Sequence, residues 1–157
     1  MSNYPICTDK HKAPTMIDIS DKNTVERIAT ASGSIRLSEM TIDKIKNNQV
    51  QKGDVFTIAK VAAINAVKKV PDLIPFCHPI PITSVKIDFS IENKEYIKCR
   101  CTVKSIAQTG VEMEALTGVS IALLNIWDVV KMYEKDKNGQ YPFTEIFNLK
   151  VEKKRKT

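Results

Sequence analysis

An α+β fold, in which helices cover one face of an antiparallel sheet, is the class that the sequence predicts. Residues 85–103 alternate apolar and charged side chains as a hairpin does, and a further alternating segment covers residues 143–151. Between them, residues 110–131 carry an apolar stripe with helical spacing. Because strands that are apolar on one side need helices on that side, these observations together favour a ferredoxin-like sandwich.

Length and composition indicate one domain over residues 1–157, with a mobile arm at about residues 1–15 and a solvated or frayed basic tail at about residues 152–157. Hydrophobic residues make up 43% of the chain and charged residues 27%, which is typical of a globular protein. The sequence begins with polar residues and has no run of eighteen apolar ones, so we expect a cytoplasmic protein without a membrane span. The net charge of +6 favours an anionic partner.

The cysteines and histidines do not form a metal-binding pattern. No CxxC pair occurs, and a chain of this kind keeps its thiols reduced, so we expect core cysteines rather than disulfides. With so few histidines and no paired cysteine ligands, we expect no structural zinc site. The residues concerned are Cys7, Cys77, Cys99, Cys101, His11 and His78.

The first half of the chain predicts one strand and two helices. Weak alternation predicts the strand at residues 29–37. Ser38 is a suitable N-cap for a short helix over residues 39–47, and Asp54 is a suitable N-cap for a longer helix over residues 55–69. The longer helix has a stripe of small side chains that permits close approach to a neighbour, formed by Ala59, Ala62, Ala63 and Ala66.

Proline dominates the next segment. Pro71 ends the second helix, and three prolines among residues 75–81 exclude both a helix and a central strand, so residues 73–81 are predicted to form a rigid extended loop. His78 precedes Pro79, which restricts its backbone to the extended region. An isolated histidine is often structural, but a stiff loop is also a good support for a group that contacts a ligand.

The hairpin is the clearest local prediction. Its apolar residues alternate with charged or polar ones, and the pair Asn93-Lys94 forms the turn. One face is therefore expected to pack against helices while the other faces solvent. The packed face comprises Val85, Ile87, Phe89, Ile91, Ile97, Cys99, Cys101 and Val103.

The helix over residues 110–131 carries charged side chains in addition to its apolar stripe. Glu114 and Asp128 lie within roughly 40° of each other around the helix axis but roughly 21 Å apart along it. Both carboxylates cannot act on one bond at that separation, so either the ligand is extended or each end of the helix lines a different site, as at a subunit interface. Alternatively, Asp128 and Lys131 form a surface ion pair worth only about 0.2–0.5 kcal/mol. The stripe itself comprises Val111, Ala115, Val119, Ala122, Ile126, Val130 and Tyr133.

Taken together, these segments resemble the molybdenum cofactor biosynthesis protein C family of cyclic pyranopterin monophosphate synthases. The resemblance covers the chain from Met16 to about Val151. Four segments carry it in the same order: KGDV from Lys52, LIPFCHPIP from Leu73, SIAQTGVEMEALT from Ser105 and WDVVK from Trp127. Several long motifs in order are more specific than any one of them.

The resemblance implies a lyase that acts on a cyclised GTP, 3',8-cyclo-7,8-dihydroguanosine 5'-triphosphate. Members of this family rebuild the purine into a pyranopterin, form a cyclic phosphate and release diphosphate by acid–base chemistry. It also implies that no metal or organic cofactor is used. The implied assembly is a homohexamer, a trimer of dimers with active sites at subunit interfaces, which agrees with the separation of Glu114 and Asp128 along the helix.

The resemblance also assigns residues to the site by position. Asp128 matches the catalytic carboxylate, and Lys131 matches its proton-transfer partner, provided that burial lowers the pKa of the lysine towards neutrality. A triphosphate needs cations, which suits lysine side chains. The positions that match substrate-binding residues are Lys52, Lys68, Phe76, Cys77, His78, Glu112, Met113 and Glu114.

Two features depart from the family pattern. Phe76 stands where many members have Leu or Met, which reshapes the wall of the pocket. The glycine-rich, lysine-containing C-terminal segment is absent, and Lys135 or Lys137 is the nearest candidate to replace it if that segment closes the site.

Two other classes of function fit parts of the sequence. A nucleic-acid-binding module would explain the basic charge, but the hairpin lacks the aromatic ladder of sheets that bind RNA. A noncatalytic nucleotide-binding regulator would bind the same ligand without turnover. We expect a small-molecule nucleotide substrate and no nucleic acid.

Overall fold

The structure is a computed structural model that describes residues 14–157. Its elements follow the order β-α-β-β-α-β, with two extra short helices in the first connection. The strands form one antiparallel sheet in the order β2-β3-β1-β4, which is the ferredoxin-like arrangement, and the predicted fold class is confirmed. The elements are β1 (Val25–Arg36), α1 (Glu39–Lys46), α2 (Val55–Val67), α3 (Val70–Leu73), β2 (Ile82–Glu92), β3 (Tyr96–Ala107), α4 (Glu112–Glu134) and β4 (Glu145–Lys156).

The hairpin of β2 and β3 forms in the register that its alternation predicts. Ile87 lies opposite Cys101 and Phe89 lies opposite Cys99, so the apolar residues share the face beneath the helices. Asn93 and Lys94 have φ values of 53° and 61°, in the left-handed region, and the connection has three residues, because Glu92 pairs with Tyr96. The charged residues on the other face of the sheet are left to solvent and to one another.

Helix α4 lies across the sheet and forms the centre of the core. Its predicted stripe is buried, except that Tyr133 at the end is only partly covered. Gly118 allows close approach, because a Cβ there would lie 2.7 Å from Cys101 Sγ and 2.9 Å from Val67 Cγ2. By length and composition α4 could cross a membrane, but half of its apolar window is buried against the sheet and α2, which identifies it as a core helix.

Both predicted N-caps are present. Asp54 accepts hydrogen bonds from the backbone N–H groups of Phe56 (3.0 Å) and Thr57 (3.1 Å), and Ser38 Oγ accepts one from the backbone N–H of Thr41 at 3.3 Å. Ser38 also bonds to Glu134 at the end of α4, which joins the start of α1 to the central helix.

Two details of the prediction are wrong. Helix α2 ends at Val67 rather than at residue 69. A short helix, Val70–Leu73, follows it, and this helix tolerates Pro71 because the missing N–H lies in its first turn, where it costs nothing. The loop therefore begins at Ile74 rather than at residue 73. Its first four residues form a turn, in which the backbone N–H of Cys77 donates to Ile74 O at 2.9 Å, so they are not extended as predicted.

The basic tail is not frayed. Strand β4 continues to Lys156 along β1, and the backbone N–H of Thr157 donates to Glu26 O at 3.2 Å. The tail is ordered because β1 begins at Val25, four residues before the predicted start, and so offers a longer edge for pairing. Carboxylates also pair with its cations: Glu112 pairs with Lys154 and Glu26 with Arg155. Residues 1–13, which include most of the predicted arm, lie outside the described part of the chain.

Candidate active site

A cleft of about 940 Å³ opens where the first turn of α4, the ends of β1 and β4 and the proline-rich loop meet. It brings together six of the ten residues that the sequence assigns to the site. Three come from the loop and three from the start of the helix: Phe76, Cys77, His78, Glu112, Met113 and Glu114. The cleft is therefore built from two motifs that are more than thirty residues apart in the sequence.

The loop presents its side chains to the cleft in a fixed way. Phe76 is 55% exposed, so its ring offers a free apolar surface to a ligand. His78 Nε2 lies 2.8 Å from Ile17 O, and because a carbonyl only accepts, the proton of the neutral ring is on Nε2. This bond holds the segment before β1 against the loop and leaves Nδ1 as the acceptor atom of the imidazole.

The two glutamates at the start of α4 differ in their tendency to ionise. Glu114 is only 3% exposed, and burial, together with the charge of Glu112, raises the pKa of its carboxyl group. Burial also acts against ionisation of Glu112, but the hydrogen bond that Lys154 donates at 2.8 Å helps to lower the pKa of Glu112 below its usual value. Glu114 thus holds its proton more tightly than Glu112, although the two residues lie only two positions apart on one wall of the cleft.

The thiol of Cys77 is not activated. Burial raises its pKa, and the nearby Glu114 raises it further, so the protonated form predominates at neutral pH. Cys77 therefore serves the cleft as a small, partly buried wall residue.

A second cluster lies near the other end of α4. Asp128 Oδ1 accepts a hydrogen bond from Lys131 Nζ at 2.8 Å, and its Oδ2 accepts one from Lys52 Nζ at 2.9 Å. Lys52 Nζ also donates to the backbone oxygen of Asp128 at 2.9 Å. These two lysines, Lys131 first, lower the pKa of Asp128 to about 2.

The condition attached to the role of Lys131, a pKa lowered by burial, is not met in the single chain. The hydrogen bond to Asp128 and its charge raise the pKa of Lys131 instead. The physical reason is that the lysine side chain is 46% exposed, so little desolvation opposes the carboxylate.

The position of Lys52 is fixed by the loop before α2. The backbone N–H of the preceding residue, Gln51, donates to Tyr133 Oη at 3.0 Å, which ties the loop to α4. On the other side of the cluster, Trp127 packs edge-on against Tyr141 with ring centroids 5.7 Å apart. The sequence analysis placed Tyr133 only in the apolar stripe and did not predict the hydrogen bond that Tyr133 Oη accepts from Gln51.

The remaining candidates lie outside both clusters. Lys68 caps the C-terminus of α2 on the exposed surface and lines neither site. Lys135 and Lys137, the suggested substitutes for the absent C-terminal segment, do not line the cleft.

The cations that do line the cleft are residues that the sequence analysis missed. They come from the start of β1, the segment before it and the end of β4: Lys22, Arg27, Lys154, Arg155 and Lys156. These five cations stand against two carboxylates, Glu112 and Glu114, so the cleft favours an anion. The last three were missed because residues 152–156 are all charged, so no alternation of apolar and polar residues marks them as part of a strand.

The fold and the cleft define an α+β protein whose cleft combines two glutamates of differing pKa with a cationic lining suited to an anionic ligand. Within residues 14–157, no three His, Cys, Asp or Glu side chains are grouped so as to hold a metal ion.

The chain belongs to the MoaC family, whose family model matches residues 16–157. A protein of Archaeoglobus fulgidus named as a probable cyclic pyranopterin monophosphate synthase is 58% identical over 139 residues, which is 88% of each chain. Proteins of the same name from Methanococcoides burtonii and Sulfurisphaera tokodaii are 57% and 56% identical, over 88% and 90% of this chain and 87% and 93% of their own.

Proposed function

We propose that this protein is a lyase of molybdenum cofactor biosynthesis, a cyclic pyranopterin monophosphate synthase. Its substrate is 3',8-cyclo-7,8-dihydroguanosine 5'-triphosphate, and its products are cyclic pyranopterin monophosphate and diphosphate. Membership of the MoaC family and the names of relatives at 56–58% identity support the reaction. The observation that carries the proposal is the cleft, which combines an acid–base pair of carboxylates with cations suited to a triphosphate.

The cleft binds the substrate in this proposal. The exposed ring of Phe76 packs on the purine-derived rings, and His78 presents Nδ1 as an acceptor. Met113 and Cys77 form the apolar wall. Glu114, whose pKa is raised by burial, is suited to donate a proton while the purine ring opens.

Asp128 and Lys131 are the proposed catalytic pair, with Lys52 as a third member that binds the substrate. In the single chain the lysine is protonated and the carboxylate is ionised, so Lys131 can act as an acid but is a poor base. Covering the pair with another subunit would desolvate the ammonium and lower its pKa, which would let the same group both give and take a proton.

A homohexamer, built as a trimer of dimers, joins the two clusters in this proposal. The start of α4 lines the cleft of one subunit, and the Asp128 cluster at the other end completes the cleft of a neighbour. Exposed apolar side chains support burial in an assembly: Val61 is 55% exposed, Leu73 57% and Phe143 67%. Lys68, which lines no site in the single chain, would reach the substrate only across such an interface.

The cytoplasm is the proposed location, which agrees with a biosynthetic enzyme that acts on a nucleotide-derived substrate. No organic cofactor or metal ion takes part in the proposed reaction, and no nucleic acid is a partner.

The test is a turnover assay with purified protein and the cyclised GTP substrate. Product is oxidised to a fluorescent pterin and quantified for the wild type, Asp128→Asn and Lys131→Ala, while binding is followed by calorimetry. Lys153→Ala is a matched control, because it removes a lysine that lines neither cluster. We expect product from the wild type and the control, and binding without product from the two site variants. Tight binding by the wild type without any product would instead identify a noncatalytic regulator.

A further inference from the structure

The end of the sheet presents three cations on the face that α4 covers. Lys154 lies opposite Ala29 on β1, and Lys156 lies opposite Arg27. Ala29 is fully buried beneath the helices, and residues 27 and 29 point to the same side of a strand. Arg27, Lys154 and Lys156 therefore share this face just beyond the first turn of α4, where all three line the cleft.

A carboxylate of the chain itself lies among these cations. Glu112 Oε1 accepts a hydrogen bond from Lys154 Nζ at 2.8 Å, and the Glu112 carboxylate also accepts one from the backbone N–H of its own residue. The N-cap residue Val111 provides no side-chain acceptor, so Glu112 itself supplies the negative charge at the start of the helix. Gly110 makes room for it, because a Cβ there would overlap Glu112 Oε2.

We propose that Lys154, supported by Arg27 and Lys156, positions a phosphate group of the ligand, and that Glu112 occupies the place of this phosphate until the ligand enters. The inference rests on the proposed function, since it names the end of the cleft that receives the triphosphate. It also identifies what replaces the absent C-terminal segment: the end of β4, rather than Lys135 or Lys137.

The exchange of partners follows from the charges. Glu112 brings one negative charge and two oxygens to Lys154, whereas a terminal phosphate brings up to two charges and three oxygens. Arg27 and Lys156 have no carboxylate within salt-bridge distance in the described chain, so a phosphate gains contacts that Glu112 does not make. Two of the Arg27 donors are already held by Ala107 O and Gln108 O at 3.3 and 3.1 Å, which fixes the guanidinium in place.

Displacement of Glu112 has a consequence for the second glutamate. Once Lys154 binds phosphate, the Glu112 carboxylate loses its cation while it remains close to Glu114. Without its cation, the Glu112 charge acts more strongly on Glu114 and raises the pKa of that carboxyl group further. Binding of the phosphate end thus prepares the acid–base pair at the other side of the first turn of α4.

The experiment measures the affinity of inorganic diphosphate and triphosphate by isothermal titration calorimetry at fixed ionic strength. Lys154→Met keeps the aliphatic stem and removes the charge, so we expect about a tenfold loss of affinity, the usual effect of one hydrogen bond to a charged group. Lys154→Arg should restore most of it. Lys153→Met is the matched control: it changes net charge equally but lies opposite Thr30 on the other face of the sheet, and should change affinity less than twofold.

Two further variants test the role of Glu112 as an occupant of the phosphate site. Glu112→Gln removes the competing charge, and Gly110→Ala keeps that charge but displaces the carboxylate, so both should bind diphosphate several-fold more tightly than the wild type. Equal losses for Lys154→Met and Lys153→Met would overturn the inference, since they would reduce it to a general effect of charge. Weaker binding by both Glu112→Gln and Gly110→Ala would also overturn it, because Glu112 would then be needed to hold Lys154.

Turnover of the cyclised GTP substrate, measured on the same proteins, separates the inference from the proposed function. For a positioning residue, Lys154→Met should raise KM about tenfold with a smaller change in kcat. Wild-type turnover without the expected pattern of diphosphate affinities would contradict this inference and leave the proposed lyase activity intact. The expected affinities without any turnover would support the phosphate site and contradict the proposed lyase activity.

Discussion

The contact of Gly118 with the sheet allows a prediction worked from the structure. In Gly118→Ala the new methyl group would meet Cys101 Sγ at 2.7 Å and Val67 Cγ2 at 2.9 Å, and both neighbours are buried in the core. Overpacking of this kind costs about 1–3 kcal/mol, and two simultaneous contacts place the cost at about 3 kcal/mol. Alanine recovers about 1 kcal/mol through its helix propensity. The free energy of unfolding should therefore fall by about 2 kcal/mol.

A double-mutant cycle tests the cause of that loss. Cys101→Ala alone should cost about 1 kcal/mol, because it removes one buried sulfur atom. Combined with Gly118→Ala, it removes the shorter of the two close contacts of the new methyl group, so the double variant should lose about 1–2 kcal/mol less than the sum of the single losses. Cys99→Ala is the control, since Cys99 is equally buried on β3 but is not among the atoms nearest to Gly118.

The measurement is urea unfolding followed by circular dichroism at one protein concentration, because assembly would otherwise shift the midpoint. Additive free energies for the pair at positions 118 and 101, or a Gly118→Ala variant as stable as the wild type, would refute the claim that α4 approaches the sheet this closely. Additivity for positions 118 and 99 is expected in either case.

Three further predictions concern buried and paired groups. Glu134→Ala should lower the free energy of unfolding by about 3 kcal/mol in urea melts. The buried Glu134 carboxylate accepts hydrogen bonds from the backbone N–H and hydroxyl of Ser38 and from the hydroxyl of Thr144, and the substitution removes their acceptor. The hydrogen bond from Arg100 is the largest of the causes that lower the pKa of Glu152 to about 2. The ionised Glu152 therefore contributes to the free energy of unfolding above pH 4.5, and this contribution is lost as the pH falls towards 2. Glu152→Gln should flatten that part of a plot of the free energy of unfolding against pH. Burial raises the pKa of both Cys99 and Cys101 to about 12, so both thiols should resist alkylation at pH 8. Peptide mapping after iodoacetamide treatment should find them unmodified in the native protein and modified after unfolding. Rapid labelling of the native protein would contradict their burial.

The parts of the fold that the sequence predicted well are those governed by local pattern. Alternation placed the apolar residues of β2 and β3 on one face of the hairpin, although the connection is one residue longer than the predicted Asn93-Lys94 turn. The end of β4 was missed because a run of lysines is a poor strand by itself. It is a strand because β1 offers a partner edge more than a hundred residues away in sequence, and no local pattern records that pairing.

The site shows the same division. The proline-rich loop and the start of α4 were both singled out by their residues, and the fold brings them to one cleft. Lys154 was missed because its partner Glu112 is 42 residues away, and only the packing of β4 beside α4 makes them neighbours. The role of Lys131 was left to depend on burial for a related reason: a sequence shows that Asp128 is near but does not show how much water reaches the pair.

The position of β4 at the edge of the sheet bears on how the protein stays in solution. An open edge strand is a template for the strand of another molecule and hence for aggregation. This edge is protected by lysines at close spacing and by irregularities in its pairing with β1 after Thr30 and Ser32, which distort the outer row of backbone groups. The basic C-terminus thus gives the chain cations for its cleft and also guards it against polymerisation, so neutral substitutions along β4 would be expected to shorten the lifetime of the soluble form as well as to weaken anion binding.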